Sequence, residues 1–206
     1  IAGRRIFNDH QLLLDGVVLD PATALTTVRP DALVRKYPDG VTETIRLFDG
    51  RDLLQVGVHG ATGQTDLRLS GDRLKAQGRS NGADWYLASE DGQAVVDHVA
   101  VVRNDDGFLI AVGPSREAAR LLLAEADTHL ASWQDQRVAR LESLVNGKHA
   151  LDTDDARLTE ALRWITLTTD ELVTKQRGDG IYAGLPWFNE YWGRDSFISL
   201  PGALLV

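Results

Sequence analysis

Between Tyr182 and Phe197 the chain places six of its fourteen aromatic residues, Tyr182, Trp187, Phe188, Tyr191, Trp192 and Phe197, among Asn189, Glu190, Arg194 and Asp195. Aromatic rings stack on the C–H faces of a pyranose, while carboxylates, a carboxamide and a guanidinium exchange hydrogen bonds with its hydroxyls. A sugar site therefore needs polar and apolar groups in close alternation. Two arrangements fit the core of the stretch, Trp192-Gly193-Arg194-Asp195. In one, Asp195 accepts from two adjacent sugar hydroxyls, Arg194 donates to a hydroxyl oxygen, and Gly193 lets a ligand or another backbone come close. In the other, the aromatics enter a core, Asp195 caps a helix begun at Ser196, and Arg194 closes a surface ion pair. Spacing alone does not choose between them. Glu190 reads as a solvated loop residue or, alternatively, as a local helper to the site.

Composition narrows the partners. A formal charge of −8 without a basic stripe argues against nucleic acid, which is held through Lys and Arg, and favours a neutral ligand. There is no cysteine, hence no disulfide framework and no thiolate metal site, which is compatible with the cytoplasm. His10, His59, His98, His129 and His149 stand far apart, without the paired spacing of a metal centre, and nothing points to a cofactor. No membrane-length apolar run or secretory leader is visible. The chain begins at Ile1, lacks Met and stops within the apolar run Leu204-Leu205-Val206, which suggests a piece of something longer.

The elements that must position the loop come in two styles. Residues 1–113 read as antiparallel β structure: 32–37, 41–48, 53–59, 66–70, 84–89, 95–103 and 107–112 are short β-rich runs separated by turn dipeptides, about eight strands forming a sandwich. Asn104 to Gly107 reads as a hairpin turn. Strict alternation over most of Val41–Phe48 predicts one buried and one wet face. Gly57 to Gly63 is glycine-rich, but a strand rather than a helix follows, which argues against a phosphate loop. Residues 114–152 form a helical linker with charged faces, opening at Pro114-Ser115 and stopping at Asn146-Gly147. A further helix is expected from the Asp152/Thr153 cap, through Leu158, Ala161, Leu162, Ile165, Thr169, Leu172 and Val173, to Arg177-Gly178. Residues 178–193 are then a loop, and 196–206 begin another helix that Pro201 kinks or starts. Trp85, Trp133 and Trp164 are expected to be packing residues.

The string Gly180-Ile181-Tyr182-Ala183-Gly184-Leu185-Pro186-Trp187-Phe188, followed by Tyr191-Trp192-Gly193-Arg194-Asp195-Ser196-Phe197-Ile198-Ser199-Leu200-Pro201-Gly202, resembles the amylo-α-1,6-glucosidase family of glycogen debranching enzymes. The close match covers about 25 residues, and P-W-F together with W-G-R-D-[ST]-F-I is a specific combination. The rest agrees in layout only. The resemblance implies an N-terminal β-sandwich (1–113), the helical linker, and over 153–206 the first helices of an (α/α)6 barrel, a fold shared with glucoamylase-like enzymes whose W-x-R-D segment occupies the same loop. It implies that Arg194 and Asp195 hold the hydroxyls of a terminal glucose in the −1 subsite, with Trp192, Trp187, Phe188 and Tyr191 shaping the wall. The substrate would be an α-glucan, glycogen or a limit dextrin, cleaved with inversion by two carboxylates about 6.5–9.5 Å apart.

Glu190 and Asp195 do not suit that pair, because a general acid must keep its proton and a carboxylate beside a guanidinium is favoured in its ionised form. In the family the acid and base come from later barrel loops, so this polypeptide is expected to lack the catalytic residues and to need the remaining C-terminal barrel for turnover. Two other readings stay open. One is a glucoamylase-like or trehalase-like exo-hydrolase acting on another linkage, which the glucose loop cannot distinguish. The other is a non-catalytic carbohydrate-binding module, stable by itself, whereas a barrel fragment should expose the apolar faces of Leu158–Val173 and Ile198–Val206.

Overall fold

The computed structural model describes residues 6–89, 96–147, 150–174, 180–184, 188 and 190–203. The chain divides into two compact units, Arg5–Asp135 and Gln136–Val206.

The first unit is sandwich-like, with β structure before α as expected, but it is richer in strands than the turn signals suggested. A small sheet contains β1 (Asp9–Leu14), β2 (Val17–Val18) and β7 (Thr65–Ser70) in the order β2-β1-β7. A large sheet contains β3 (Leu25–Val28), β4 (Leu33–Lys36), β5 (Thr42–Leu47), β6 (Leu53–His59), β8 (Leu74–Ser80), β9 (Ala83–Ser89), β10 (Val96–Asn104) and β11 (Gly107–Gly113). Its order is β3-β4-β5-β6-β11-β10-β9-β8, with every pairing antiparallel. β1, β2, β3 and β8 were not foreseen. β1 carries consecutive leucines and β8 is almost wholly exposed, so neither shows the alternation by which a strand is recognised. Their hairpins rest on Asp15-Gly16 and Asn81-Gly82, whose positive φ values (50° and 82°, 52° and 77°) suit a tight turn that matches the strand twist.

Register assigns the faces of the large sheet. Ile45 opposes Val56, Val56 opposes Phe108 and Phe108 opposes Arg103, so these share one face with Glu43; Leu53, Gln55, Leu109 and Ala111 lie on the other. The first face is linked to the small sheet through His10–Glu43 and through the Arg103 guanidinium, which donates to the Thr65 carbonyl and hydroxyl. The second packs against helix α1 (Arg116–Asn146). Phe48, Leu53, Leu109 and Ala111 form one cluster with Ala126 and Trp133, while Ala83, Trp85 and Ala100 form another with Ala119. Small residues at 119 and 126 let the helix sit close to the sheet, and the Trp133 ring meets Phe48 edge-on at 6.3 Å under the Arg51 guanidinium.

Because both faces of the central strands are covered, Val41–Phe48 does not divide into a buried and a wet face. Glu43 is fully buried on one side and Thr44 on the other, and Leu47, near the strand end, is exposed. α1 runs without a break. Its cap is Ser115, whose hydroxyl accepts from the Ala118 amide, and its charged residues are mostly solvated while its apolar stripe is covered.

In the second unit, α2 (Ala156–Leu172) starts later than expected. The cap is Asp155, which accepts from the amides of Arg157 and Leu158; Thr153 supports it by bonding the Asp155 carbonyl and amide. Arg140 ties the end of α1 to α2 with two bonds to Asp170 at 2.7 and 2.9 Å. α2 also ends earlier, at Leu172, where the chain becomes extended and β12 (Val173–Thr174) pairs with β13 (Gly180–Ile181). The expected stop, Arg177-Gly178, lies outside the described residues. Leu167 is the buried residue of α2, whereas Leu158 and Ile165 are exposed, and Trp164 is partly exposed rather than packed. Helix α3 (Gly193–Ala203) begins three residues before the expected start and carries Pro201 in its interior.

Candidate functional site

The loop between α2 and α3 is held at both ends by backbone bonds. The Tyr182 amide donates to the Leu172 carbonyl at 2.9 Å, continuing the β12–β13 pairing, and the Ala183 amide donates to Glu190 at 3.3 Å. Gly184 and Phe188 bond each other reciprocally at 3.1 and 2.6 Å. Helix α3 follows, and its first turn closes when the Ser196 amide donates to the Trp192 carbonyl at 2.8 Å. The Ser196 hydroxyl reaches back to the Ile181 carbonyl at 3.2 Å, so the start of the helix is tied directly to β13.

Two aromatic pairs stand on this frame. Tyr182 is buried and lies 5.5 Å from the half-buried Tyr191, the rings tilted by 32°. Gly180 makes that packing possible, since a Cβ there would come within 2.8 Å of the Tyr191 ring. Phe188 and Trp192 meet edge-to-face at 6.3 Å and 82°, and both remain about half exposed. The first pair is a foundation; the second offers ring surface to whatever approaches.

Arg194 and Asp195 occupy the first turn of α3. Arg194 is extended into solvent, with its side chain 77% exposed, and its Nη2 lies 3.5 Å from Asp195 Oδ2, too long for a strong charge-assisted bond. That oxygen is covered and has no hydrogen-bond partner among the described residues. The surface ion pair of the second sequence reading is therefore present in loose form, but the cap is not: α3 starts at Gly193, and the backbone carbonyl of Asp195, rather than its carboxylate, accepts from the Ser199 hydroxyl at 2.7 Å. The first turn of α3 thus holds a carboxylate with an unsatisfied oxygen next to an exposed guanidinium that retains donor capacity.

Of the residues singled out from sequence, the structure pairs Phe188 with Trp192 and Arg194 with Asp195 and packs Tyr191 on Tyr182; Trp187 lies outside the described residues. Glu190 is exposed, and its part is to lend its carbonyl to the loop. Sequence reading undervalued Gly180 and Tyr182 as the support for Tyr191, although both lie in the recognised string. It missed entirely a second cluster, in the β unit, around Glu43. That carboxylate accepts from His10 at 2.8 Å, Tyr37 at 3.0 Å and Arg35 at 3.1 Å. Burial pushes Glu43 up, but hydrogen bonding and attraction from His10, with Tyr37 and Arg35, more than offset it and hold the carboxyl below its ordinary range. Burial first, then the charge and hydrogen bond of Glu43, push Tyr37 up to about 12, with Arg35 acting in the opposite direction.

Among the described residues no helix is long and apolar enough to cross a membrane. The family model for amylo-alpha-1,6-glucosidase matches residues 143–206, the stretch that holds α2, the loop and α3. No curated protein and no solved structure matches the chain. Over residues 143–206, the chain is therefore similar to the amylo-alpha-1,6-glucosidase family.

Proposed function

We propose that this chain supplies part of the glucose-binding −1 subsite of a glycogen-debranching α-1,6-glucosidase. The observation that carries the reading is the group of Trp192, Arg194 and Asp195 at the start of α3, inside the family segment, with an unsatisfied carboxylate oxygen and an exposed ring edge. Asp195 accepts from glucose hydroxyls, Arg194 donates to a hydroxyl oxygen, Trp192 and Phe188 face the ring's C–H surface, and Trp187 and Tyr191 complete the wall. Residues 153–206 begin an (α/α)6 barrel. The exposed stripe of Leu158, Ile165, Phe197 and Ile198 supports this, as an apolar surface suited to further barrel helices. The general acid and the base that activates water in an inverting reaction come from later barrel loops. The substrate is a glycogen-type limit dextrin.

The test is hydrolysis of an α-1,6-glucosyl-branched dextrin by a polypeptide carrying the whole barrel. Asp195→Ala should lower kcat/KM by on the order of 100-fold or more, as expected for lost substrate positioning. Wild-type kcat/KM in that variant would remove the role given to Asp195. Preference for α-1,4 or α,α-1,1 substrates would instead favour an exo-hydrolase of the glucoamylase or trehalase kind.

A further inference from the structure

The two sheets of the β unit are joined unequally. The backbone bonds of the small sheet stay within it: β1 pairs with β2 and β7, and its flanks are closed by Asn8 to Ser70, Asp15 to Gln64 and Leu19 to Leu12. Among the described residues, its polar links to the large sheet run through side chains, such as His10 to Glu43 and Arg103 to Thr65. The Glu43 link differs from the others because its hub is a charged group with no exposure to water. Every donor on it comes from a different position: His10 from β1, Arg35 from the neighbouring strand β4, and Tyr37 from the segment after β4. On the other flank β6 places Val58 opposite Glu43 and contributes no charge.

We infer that the small sheet is a separable leaf, and that the ionised carboxylate of Glu43 is the latch that keeps it closed. A buried carboxylate that satisfies three donors is stabilising only while it is charged; protonated, it loses acceptor capacity and leaves Arg35 and His10 facing a neutral acid. Since Glu43 is held below its ordinary range in the folded unit, its contribution is present above that range and is lost as pH falls through the lower, folded value. Opening at this edge frees β1 with its partners β2 and β7 and uncovers Leu12, Leu67 and Leu69. The ladders from β9 through β11 to β6, which pack on α1 across the other face, remain intact.

Hydrogen exchange followed by mass spectrometry on the 206-residue chain tests this. In Glu43→Gln at neutral pH, protection in residues 9–14 and 65–70 should fall about tenfold or more relative to wild type, with residues 99–102 and 107–112 unchanged. Wild type acidified from pH ~7 to well below the ordinary carboxylate value of ~4 should show the same selective loss, beginning beneath that value, once intrinsic exchange rates are corrected. The acid series needs no substitution, so it decides the matter even if Glu43→Gln does not fold. Loss of protection spread evenly over both sheets, or none in residues 9–14, overturns the inference.

Discussion

The β unit and the helical unit differ in how much apolar surface they enclose: the first exposes Val17, Leu25, Val28 and Leu47 around a large buried core, and the second has few buried residues among those described. In the first, Leu12, Leu13, Leu53, Val56, Val99 and Ile110 are almost completely buried, and even a charged residue, Glu43, is enclosed and fully paired. In the second, Leu141, Leu167, Ile181 and Tyr182 are buried, while Leu158, Ile165, Phe188, Trp192, Phe197 and Ile198 stand exposed. The two carboxylates differ as well, although the β unit also holds buried side-chain atoms without partners among the described residues, on Arg46, Gln55, His98 and Asn104. The buried carboxylate of the β unit has three donors, and the carboxylate of α3 has an oxygen with none among the described residues. The helical unit therefore leaves aromatic and aliphatic surface around its loop and on α2 and α3 open to a ligand or to further helices.

Paired substitutions break or sharpen this contrast. The largest effect is expected from Trp133→Ala, which opens a cavity among Phe48, Leu53 and Leu109 and should cost about 3–5 kcal/mol in urea unfolding. Trp192→Ala, on the exposed ring of the loop, should stay within roughly 0.5 kcal/mol of wild type. Equal losses in the two variants would erase the distinction. Next comes pH. Above the ordinary carboxylate range the β unit gains from the depressed Glu43, and that gain should drain away on acidification. Tyr37, with its pKa raised to about 12, contributes stability that is complete below the ordinary tyrosine value and declines as pH rises toward 12. A pH–stability curve for Glu43→Gln should be flatter on the acid side than that of wild type.

Much of this architecture was legible in the chain itself. The strands at 53–59 and 107–113 were readable because β-rich runs sit between Gly- and Asp-containing turns. The loop was readable because its residue types are unusual together. What escaped was decided by tertiary packing. β8 has no apolar pattern and exists because β9 offers it an edge, although Asn81-Gly82 was a usable hairpin signal. Glu43 looked like one polar residue in an alternating strand, and only the fold brings His10, 33 positions away in sequence, onto it. The end of α2 was misjudged because Val173 and Thr174 pair with Gly180 and Ile181, a tertiary choice that overrides a helical apolar spacing.

Smaller effects refine the site. Gly180→Ala should push the Tyr191 ring from its place against Tyr182 and weaken glucan binding on the order of tenfold while leaving the thermal midpoint of the β unit unchanged, as read by titration and calorimetry. At the low end, Glu117→Ala removes an exposed pair with Arg120 on α1, formed at 2.7 Å, and should leave the melting temperature unchanged within error.

The most direct measurement compares Asp195→Ala with wild type, in a polypeptide carrying the whole barrel, for both kcat/KM on an α-1,6-glucosyl-branched dextrin and urea stability. A loss of about 100-fold or more in kcat/KM with unchanged stability is expected if Asp195 is kept for glucose. Full activity, or a loss of activity that merely follows a loss of stability, would contradict it.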